Sequence, residues 1–369
     1  LFPYTTLFRS LDVLMNFTVL GGGVVGLSTA LVLETLGHET RLVTERVAYL
    51  DGTDHSGVAT NYAAASVYPA YVEADASHET LLRRAVSTFE PFAEVESLPL
   101  CEVPHYQLSE SGDPSPSPAL SGVRSLADHG DTPPSRPGET VAGFVADRYL
   151  VDMPSYVPLL VAAYRGLGGT ISRRQVTRDD IPASADGEYV VNCTGYGSRR
   201  LFDDESMVAL KGHILEVGAP DPPVEFSYNY AAAEYDEGVY MYPRGDRLLF
   251  GGSHLAGQVV DGEWVGETPD RSVTLDGEQL PERVWTVNRA ITGRELTEAD
   301  VTVRWGYRPY RRAGLRIERE GDVLHNYGHG GGGVALSWWS ALELAGLVCD
   351  VPADTLETVA TRLGQVAKK

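Results

Sequence analysis

Near the start of this chain an apolar strand runs into a glycine turn and out into an apolar helix. That junction restricts the fold more than any other segment. Phe17 to Leu20 reads as a short buried strand, Gly21-Gly22-Gly23-Val24-Val25-Gly26 follows, and Val24 to Leu36 carries a helical apolar pattern. In a G-x-G-x-x-G turn the first glycine permits the tight bend and the second lets a pyrophosphate approach the backbone. The third lets the helix pack closely on the strand, while the helix N-terminus attracts phosphate charge. Gly37 is placed to end the helix in a left-handed conformation, and Thr40 to Thr44 reads as a second strand. Glu45 lies 19 residues beyond Gly26, at the end of that strand, where a carboxylate accepts hydrogen bonds from an adenosine ribose. The segment predicts a dinucleotide site. Its acidic residue argues against the 2′-phosphate of NADP and leaves FAD and NAD both open.

The rest of the chain is long enough for two cores, at 369 residues with 43% apolar composition. A net charge of -21 repels phosphate backbones and anionic lipid, which argues against nucleic-acid and membrane partners. Ala30 to Leu36 is short and interrupted by Glu34, and no apolar run approaches the roughly 20 residues that span a bilayer. Cys101, Cys193 and Cys349 are odd in number and form no C-x-x-C pair, so they read as reduced thiols of a cytoplasmic protein. No metal-ligand spacing stands out. The first ten residues, LFPYTTLFRS, look like a translated sequencing adapter, and residues 1–14 are set aside as a leader before Met15.

Glu79 to Val95 and Val151 to Leu167 have helical periodicity, the latter with Asp152 as its N-cap. Residues 109–139, rich in Pro, Ser, Gly and Asp, read as a flexible insertion. Glu188 to Asn192 is a buried strand ending in Cys193-Thr194-Gly195. Strand signals then dominate: Ile214–Val217, Val239–Tyr242, Arg247–Gly251 and Val301–Trp305, which together predict a large antiparallel sheet. A last strand, Val323 to Tyr327, leads into a glycine run and an apolar helix from Val334 to about Val348.

That closing segment, His325-Asn326-Tyr327-Gly328-His329-Gly330-Gly331-Gly332-Gly333-Val334, resembles the N-Y-G-H-G-G-x-G signature of D-amino-acid oxidases and D-aspartate oxidases. Val19–Ala30 (VLGGGVVGLSTA), Val190–Gly195 (VVNCTG), Gly212–Val217 (GHILEV), Val239–Arg244 (VYMYPR) and Gly306–Pro309 (GYRP) match the same family in the same order. The resemblance implies an α/β fold with an α+β second domain. A Rossmann-like FAD-binding domain of residues 15–75, 150–205 and 305–369 would be interleaved with a substrate domain of residues 76–149 and 206–304. It also implies where FAD is held. Gly21, Gly23, Val24, Val25, Gly26 and Glu45 take the dinucleotide end. Arg46, Thr60, Asn61, Ala64, Ala65 and Ser66 wrap the flavin, and Val176 meets the adenine. Thr194 and Gly195 end a strand against the cofactor. Gly330, Gly331, Gly333, Val334 and Ala335 approach the ring, the helix dipole facing the side where reduced flavin carries charge.

The same resemblance places Arg308 between the flavin and the substrate carboxylate, a role its bidentate fork suits. Tyr240 shares that carboxylate, the Gly331 backbone accepts the substrate amine, and a lid tyrosine matches Tyr235, with Tyr228 and Tyr230 as alternatives. The implied reaction is oxidative deamination of a neutral D-amino acid by hydride transfer from Cα to flavin N5. Its products are a 2-oxo acid, ammonia and, with oxygen as partner, hydrogen peroxide. No catalytic histidine is required, so His329 is expected to support its loop and Cys193 to be inert. The resemblance allows a homodimer. Alternatives within flavoenzymes are a D-aspartate oxidase, which an extra arginine in the pocket would favour, a glycine or sarcosine oxidase, and a flavin dehydrogenase. An NAD-dependent dehydrogenase has no use for the C-terminal glycine segment, and a non-catalytic scaffold has no use for Arg308 and Tyr240. Two departures stand out: Ala335 replaces a frequent threonine, and Ala70 replaces an aromatic expected after Pro69.

Overall fold

A computed structural model describes residues 14–51, 57–130, 132–181 and 188–369. The leader expectation for residues 1–14 falls almost wholly outside them.

Two sheets organise the chain. The first has six strands in the order Arg316–Glu320, Val323–Tyr327, Glu188–Asn192, Asn16–Gly22, Glu39–Val47 and Thr170–Arg173. All pair in parallel except the Arg316–Glu320 edge. The helix Val24–Thr35 buries nearly all of its length, with Leu27, Ala30 and Val32 fully inaccessible. Such all-round burial is what an apolar helix without amphipathic periodicity requires. It ends at Gly37 with φ +89°. Helices Met153–Gly166, Ser337–Ala345 and Thr355–Ala367 complete this layer. Trp338, fully buried, donates its indole N–H to Tyr156 Oη at 2.9 Å, which satisfies the polar tips of two large core residues.

The second sheet runs Glu263–Gly266, Leu255–Val260, Met207–Gly218, Arg247–Gly251, Val239–Arg244, Ser227–Ala231, Leu100–Ser109, Ala142–Val151, Arg124–Ser125. Val301–Arg311 pairs with the free side of Met207–Gly218 over eleven residues in register. Its partners are antiparallel, apart from Leu100–Ser109 beside Ser227–Ala231. One face buries Tyr106, Leu108, Tyr228, Met241 and Phe250 against the helix Glu282–Thr292. The other face turns to the first sheet.

Several expectations need correction. The helix His78–Ala93 packs Leu81, Ala85, Phe89 and Phe92 into the core of the first sheet, not beside the second. Residues 301–311 form one strand of the second sheet, so its boundary lies past residue 304. The C-terminal helix begins at Ser337, because Gly330–Gly332 form a 3₁₀ turn and the bonds Leu336 N to Gly332 O and Ser337 N to Val334 O precede regular helix. Residues 109–139 are anchored rather than loose: Arg136 pairs with Glu110 and Glu234, each at 2.5 Å, and Arg124–Ser125 adds a short strand. Asp152 occupies the predicted N-cap position, but its carboxylate accepts from Ser155 Oγ instead of a backbone N–H.

Candidate active site

The carboxyl ends of the parallel strands meet the polar face of the second sheet, the usual place for a ligand in an open α/β sheet. A cavity of about 970 Å³ opens there. At one end is the glycine turn. Gly21 has φ +113°, a conformation closed to other residues, and a Cβ on Gly26 would overlap the Gly21 carbonyl oxygen. The turn is fastened from both sides. Thr44 Oγ1 accepts from Gly22 N at 2.9 Å, and Thr60 Oγ1 accepts from Val24 N at 3.1 Å. Glu45 and Arg46 border the cavity at the end of the second strand, with Val176, Thr194 and Gly195 alongside.

Ala63 to Ser66 are stitched between the two sheets. Arg244 Nη2 donates to the Ala63 and Ala64 carbonyls at 2.7 and 3.2 Å, and Val151 N donates to Ala65 O at 3.0 Å. Ala65 is held at φ +64°. The glycine run closes the far wall. Gly330 has φ +52°, Gly331 N donates to Tyr71 O at 3.3 Å, and a Cβ on either residue would meet the carbonyls of Tyr71 or Ala70. The Gly331 N–H is thus engaged within the loop.

Of the expected cofactor residues, Gly26, Asn61 and Ala335 do not border the cavity. Gly26 supplies helix–strand packing. Asn61 Oδ1 accepts from Tyr49 N at 2.8 Å and braces the loop. Ala335 is buried in the core of the first sheet, so the frequent threonine has no counterpart here that reaches the cavity. The late start at Ser337 likewise places the helix N-terminus beyond the glycines, which weakens the dipole argument made from sequence.

Arg308 and Tyr240 come together at the other end. Arg308 Nη1 donates to Ser253 O at 2.8 Å, and the charge of the guanidinium acts on the Tyr240 phenol. Each side chain lies over a glycine of the neighbouring strand: a side chain on Gly212 would overlap the guanidinium, and one on Gly251 the Tyr240 ring. Burial pushes the Tyr240 phenol up to about 12, against the opposing pull of Arg308, so it stays a neutral hydroxyl at working pH. The nearby Arg304, Arg311 and Arg316 are ion-paired with Glu216, Asp204 and Glu318. Among the described residues Arg308 has no carboxylate partner, and it borders the cavity. His213 stands behind it: Ser253 Oγ accepts from His213 N at 2.7 Å and lies 2.9 Å from Nδ1.

The lid tyrosine is not where sequence placed it. Tyr235 donates to Glu282 Oε1 at 3.0 Å and Tyr228 to Asn288 Oδ1 at 2.8 Å, both on the far face of the sheet. Tyr230 borders the cavity but commits its hydroxyl to Glu110 at 2.5 Å. The aromatic beside Arg308 is Tyr71, at φ +52°, with the guanidinium carbon 5.7 Å from its ring centroid. Its other face meets His254 at 4.4 Å, and His254 Nε2 lies 2.5 Å from Glu237. The bulk missing at Ala70 is thus supplied one residue later. Tyr71, Ser253, Gly212 and Gly251 escaped the sequence reading. The two glycines inside strands were the available signal, since a glycine there marks close approach of another group.

The cavity suits a dinucleotide: glycines that admit close backbone approach line one end, and among the described residues Arg46, Arg200 and Arg308 border it with a single acid, Glu45. The FAD dependent oxidoreductase family (DAO) matches residues 16–347. The chain belongs to that family. It is 31% identical over 340 residues to a D-amino-acid oxidase of Streptomyces coelicolor, covering 89% of this chain and 95% of that protein. A D-amino-acid oxidase of Rubrobacter xylanophilus is 30% identical, covering 91% and 96%. The crystal structure of glycine oxidase from Geobacillus kaustophilus superposes with a TM-score of 0.62 at 19% identity, over 90% of this chain and 95% of that one, which supports the fold. As a member of the DAO family the chain is a flavoprotein oxidoreductase whose cofactor is FAD. Gly21–Val25, Glu45, Thr60, the Ala63–Ser66 loop and Gly330–Gly333 are the residues that would hold it.

Three further groups behave as structural elements. His329 is buried, with Nε2 3.0 Å from Ser340 Oγ. Burial alone lowers it to about 3, and burial with Lys211 and Arg308 lowers His213 to about 3. Burial pushes the Cys193 thiol up to about 12, away from thiolate chemistry. The histidines carry a pH consequence. An unfolded histidine titrates near ~6.5, so as pH falls the unfolded chain takes up protons that the folded chain refuses. Stability present above that value is lost as pH falls toward the folded values, by ~1.4 kcal/mol per unit for each histidine. The melting temperature should therefore hold between about pH 8 and 7 and fall steadily from about pH 6.5 to 4.5. A flat profile across the lower interval, by differential scanning calorimetry, would contradict burial of neutral imidazoles.

Proposed function

We propose that the protein catalyses FAD-dependent oxidative deamination of D-amino acids, giving a 2-oxo acid, ammonia and hydrogen peroxide. Per turnover one amino acid, one oxygen and one water are consumed. The observation that carries this reading is Arg308: a half-buried guanidinium with no carboxylate partner among the described residues, acting on a neutral phenol and facing the cavity that begins at the glycine turn. A free α-carboxylate completes it.

Arg308 and Tyr240 would take that carboxylate together. The guanidinium donates to it, and the Tyr240 hydroxyl, which stays neutral, has a proton to donate. Ser253 O holds the guanidinium and His213 fixes Ser253 through its hydroxyl, so little conformational freedom is lost on binding. The Gly331 carbonyl accepts an amine N–H, Tyr71 covers the guanidinium, and carboxylate and amine fixed together leave one Cα substituent facing each wall. When bound, FAD supplies the two-electron acceptor for the Cα hydrogen, and the protein's contribution is orientation and electrostatics. The relatives' names support D-amino acids over glycine, and the free thiols Cys101, Cys193 and Cys349 fit a cytoplasmic setting.

A peroxide-release screen over D- and L-amino acids, glycine and sarcosine tests this. Peroxide from D-amino acids at rates well above those from the L-isomers and glycine is expected. Turnover confined to glycine and sarcosine, or to L-isomers, would replace the assignment.

A further inference from the structure

Beyond Tyr240 the cavity wall is polar, and a guanidinium lies under it. The strand register puts Tyr240 beside Asn229, Asn229 beside Gln107, and Arg148 beside Val103, all on the face that turns to the cavity. The rings of Tyr240 and Tyr242 stack with centroids 4.8 Å apart, and Asn229 Nδ2 donates to Gln107 Oε1 at 3.1 Å. Arg148 is 5% exposed. Its guanidinium sits 4.4 Å over the Tyr68 ring and its charge is felt by the Tyr242 phenol, whose hydroxyl lies 3.5 Å from Asn229 Oδ1, while Nη1 has no hydrogen-bond partner. Among the described residues no carboxylate pairs with it; the charged or titratable groups acting on it are the two phenols. Its cationic field also reaches His78 and His105, both held toward the neutral form by burial first and by Arg148 second.

Burying a guanidinium without a counter-charge is costly, and such groups are ordinarily paired. The wall above this one, Tyr68, Tyr242, Asn229, Gln107 and His78, borders the cavity and supplies hydrogen-bond donors. Arg308 acts on the phenol of Tyr240 and Arg148 on that of Tyr242, so the two guanidiniums flank a stacked tyrosine pair. One end suits an α-carboxylate; the other lacks the anion its charge calls for.

Resting on the reading of the chain as a D-amino-acid oxidase, we infer that Arg148 selects D-amino acids whose side chain bears a second carboxylate. Tyr242 and Asn229 make the contact, and the guanidinium behind Tyr242 supplies the charge. This reverses the expectation of a neutral substrate. Arg148 is a positioning residue, acting through the phenols its charge reaches.

The test compares kcat/KM of the holoenzyme for D-aspartate and D-glutamate with that for the amides D-asparagine and D-glutamine, and with D-alanine. The acids should exceed their amides by roughly tenfold or more, the gain of one charge-assisted hydrogen bond. Arg148→Met should bring the acid-to-amide ratio close to one, mainly through KM for the acids, and Arg148→Lys should restore part of it. A structural role alone would lower both substrates together. Should the variants not fold, wild-type holoenzyme decides: succinate should perturb the flavin absorbance at concentrations roughly tenfold lower than butanoate. Amides or D-alanine used as well as the acids, or succinate no tighter than butanoate, overturns the inference and leaves the D-amino-acid reading standing. Failure to oxidise any D-amino acid removes that reading, and this inference with it.

Discussion

Replacing Arg308 with alanine should lower kcat/KM by about 10²–10⁴-fold, the loss of two charge-assisted hydrogen bonds at 1.5–3 kcal/mol each, while FAD stays bound. The separation follows from where the residue sits. Arg308 projects from the strand Val301–Arg311 over Gly212, whereas the glycine turn that would hold the cofactor lies at the other end, fastened by Thr44 and Thr60. Arg308→Lys should recover only part of the loss, because an ammonium lacks the planar fork that meets both carboxylate oxygens while holding Ser253 O. Steady-state kinetics and the ratio of flavin to protein absorbance check both halves. Unchanged substrate affinity in Arg308→Ala would remove the residue from its role.

The second large effect concerns the opposite end. Gly26→Val should abolish FAD uptake and cost upward of ~3 kcal/mol of stability. A Cβ at Gly26 overlaps the Gly21 carbonyl and crowds Cys193. The helix Val24–Thr35 cannot slide to make room, since Leu27, Ala30, Val32 and Leu33 are fully buried. Gly37 provides the contrast. It too has a positive φ, at +89°, but nothing lies within 4 Å of a Cβ there. Gly37→Ala should cost only about 1 kcal/mol, from backbone strain alone, and leave flavin bound. Comparable flavin loss in the two variants would show that the turn has no special part in holding the cofactor.

The dinucleotide unit was legible because its physics is local. A glycine turn between an apolar strand and an apolar helix has few other uses, and the carboxylate of Glu45 follows at a fixed distance along the same unit. Arg308 and Tyr240 were legible through the resemblance alone; nothing in GYRP distinguishes one arginine from its ion-paired neighbours until Gly212 and Ser253 are brought across from other strands. Leu100–Ser109 and Ala142–Val151 went unread as strands for a reason tied to function. Their cavity-facing positions carry His105 and Arg148, polar residues that are nonetheless buried, and Pro104 interrupts the alternation that marks a half-buried strand. Tyr71 was missed because its role depends on a left-handed backbone that an aromatic residue seldom adopts. The late start of the C-terminal helix was hidden by four glycines, which permit a 3₁₀ turn as readily as a helix.

The central claim is that a D-amino acid, held by its carboxylate on Arg308, gives up two electrons to FAD in this cavity. Anaerobic mixing of the yellow holoprotein with each D-amino acid and its L-enantiomer tests it most directly, without reliance on oxygen. Oxidised-flavin absorbance should disappear with D-amino acids, acidic ones fastest, and persist with their L-isomers. Absorbance that persists with every D-amino acid would contradict the account.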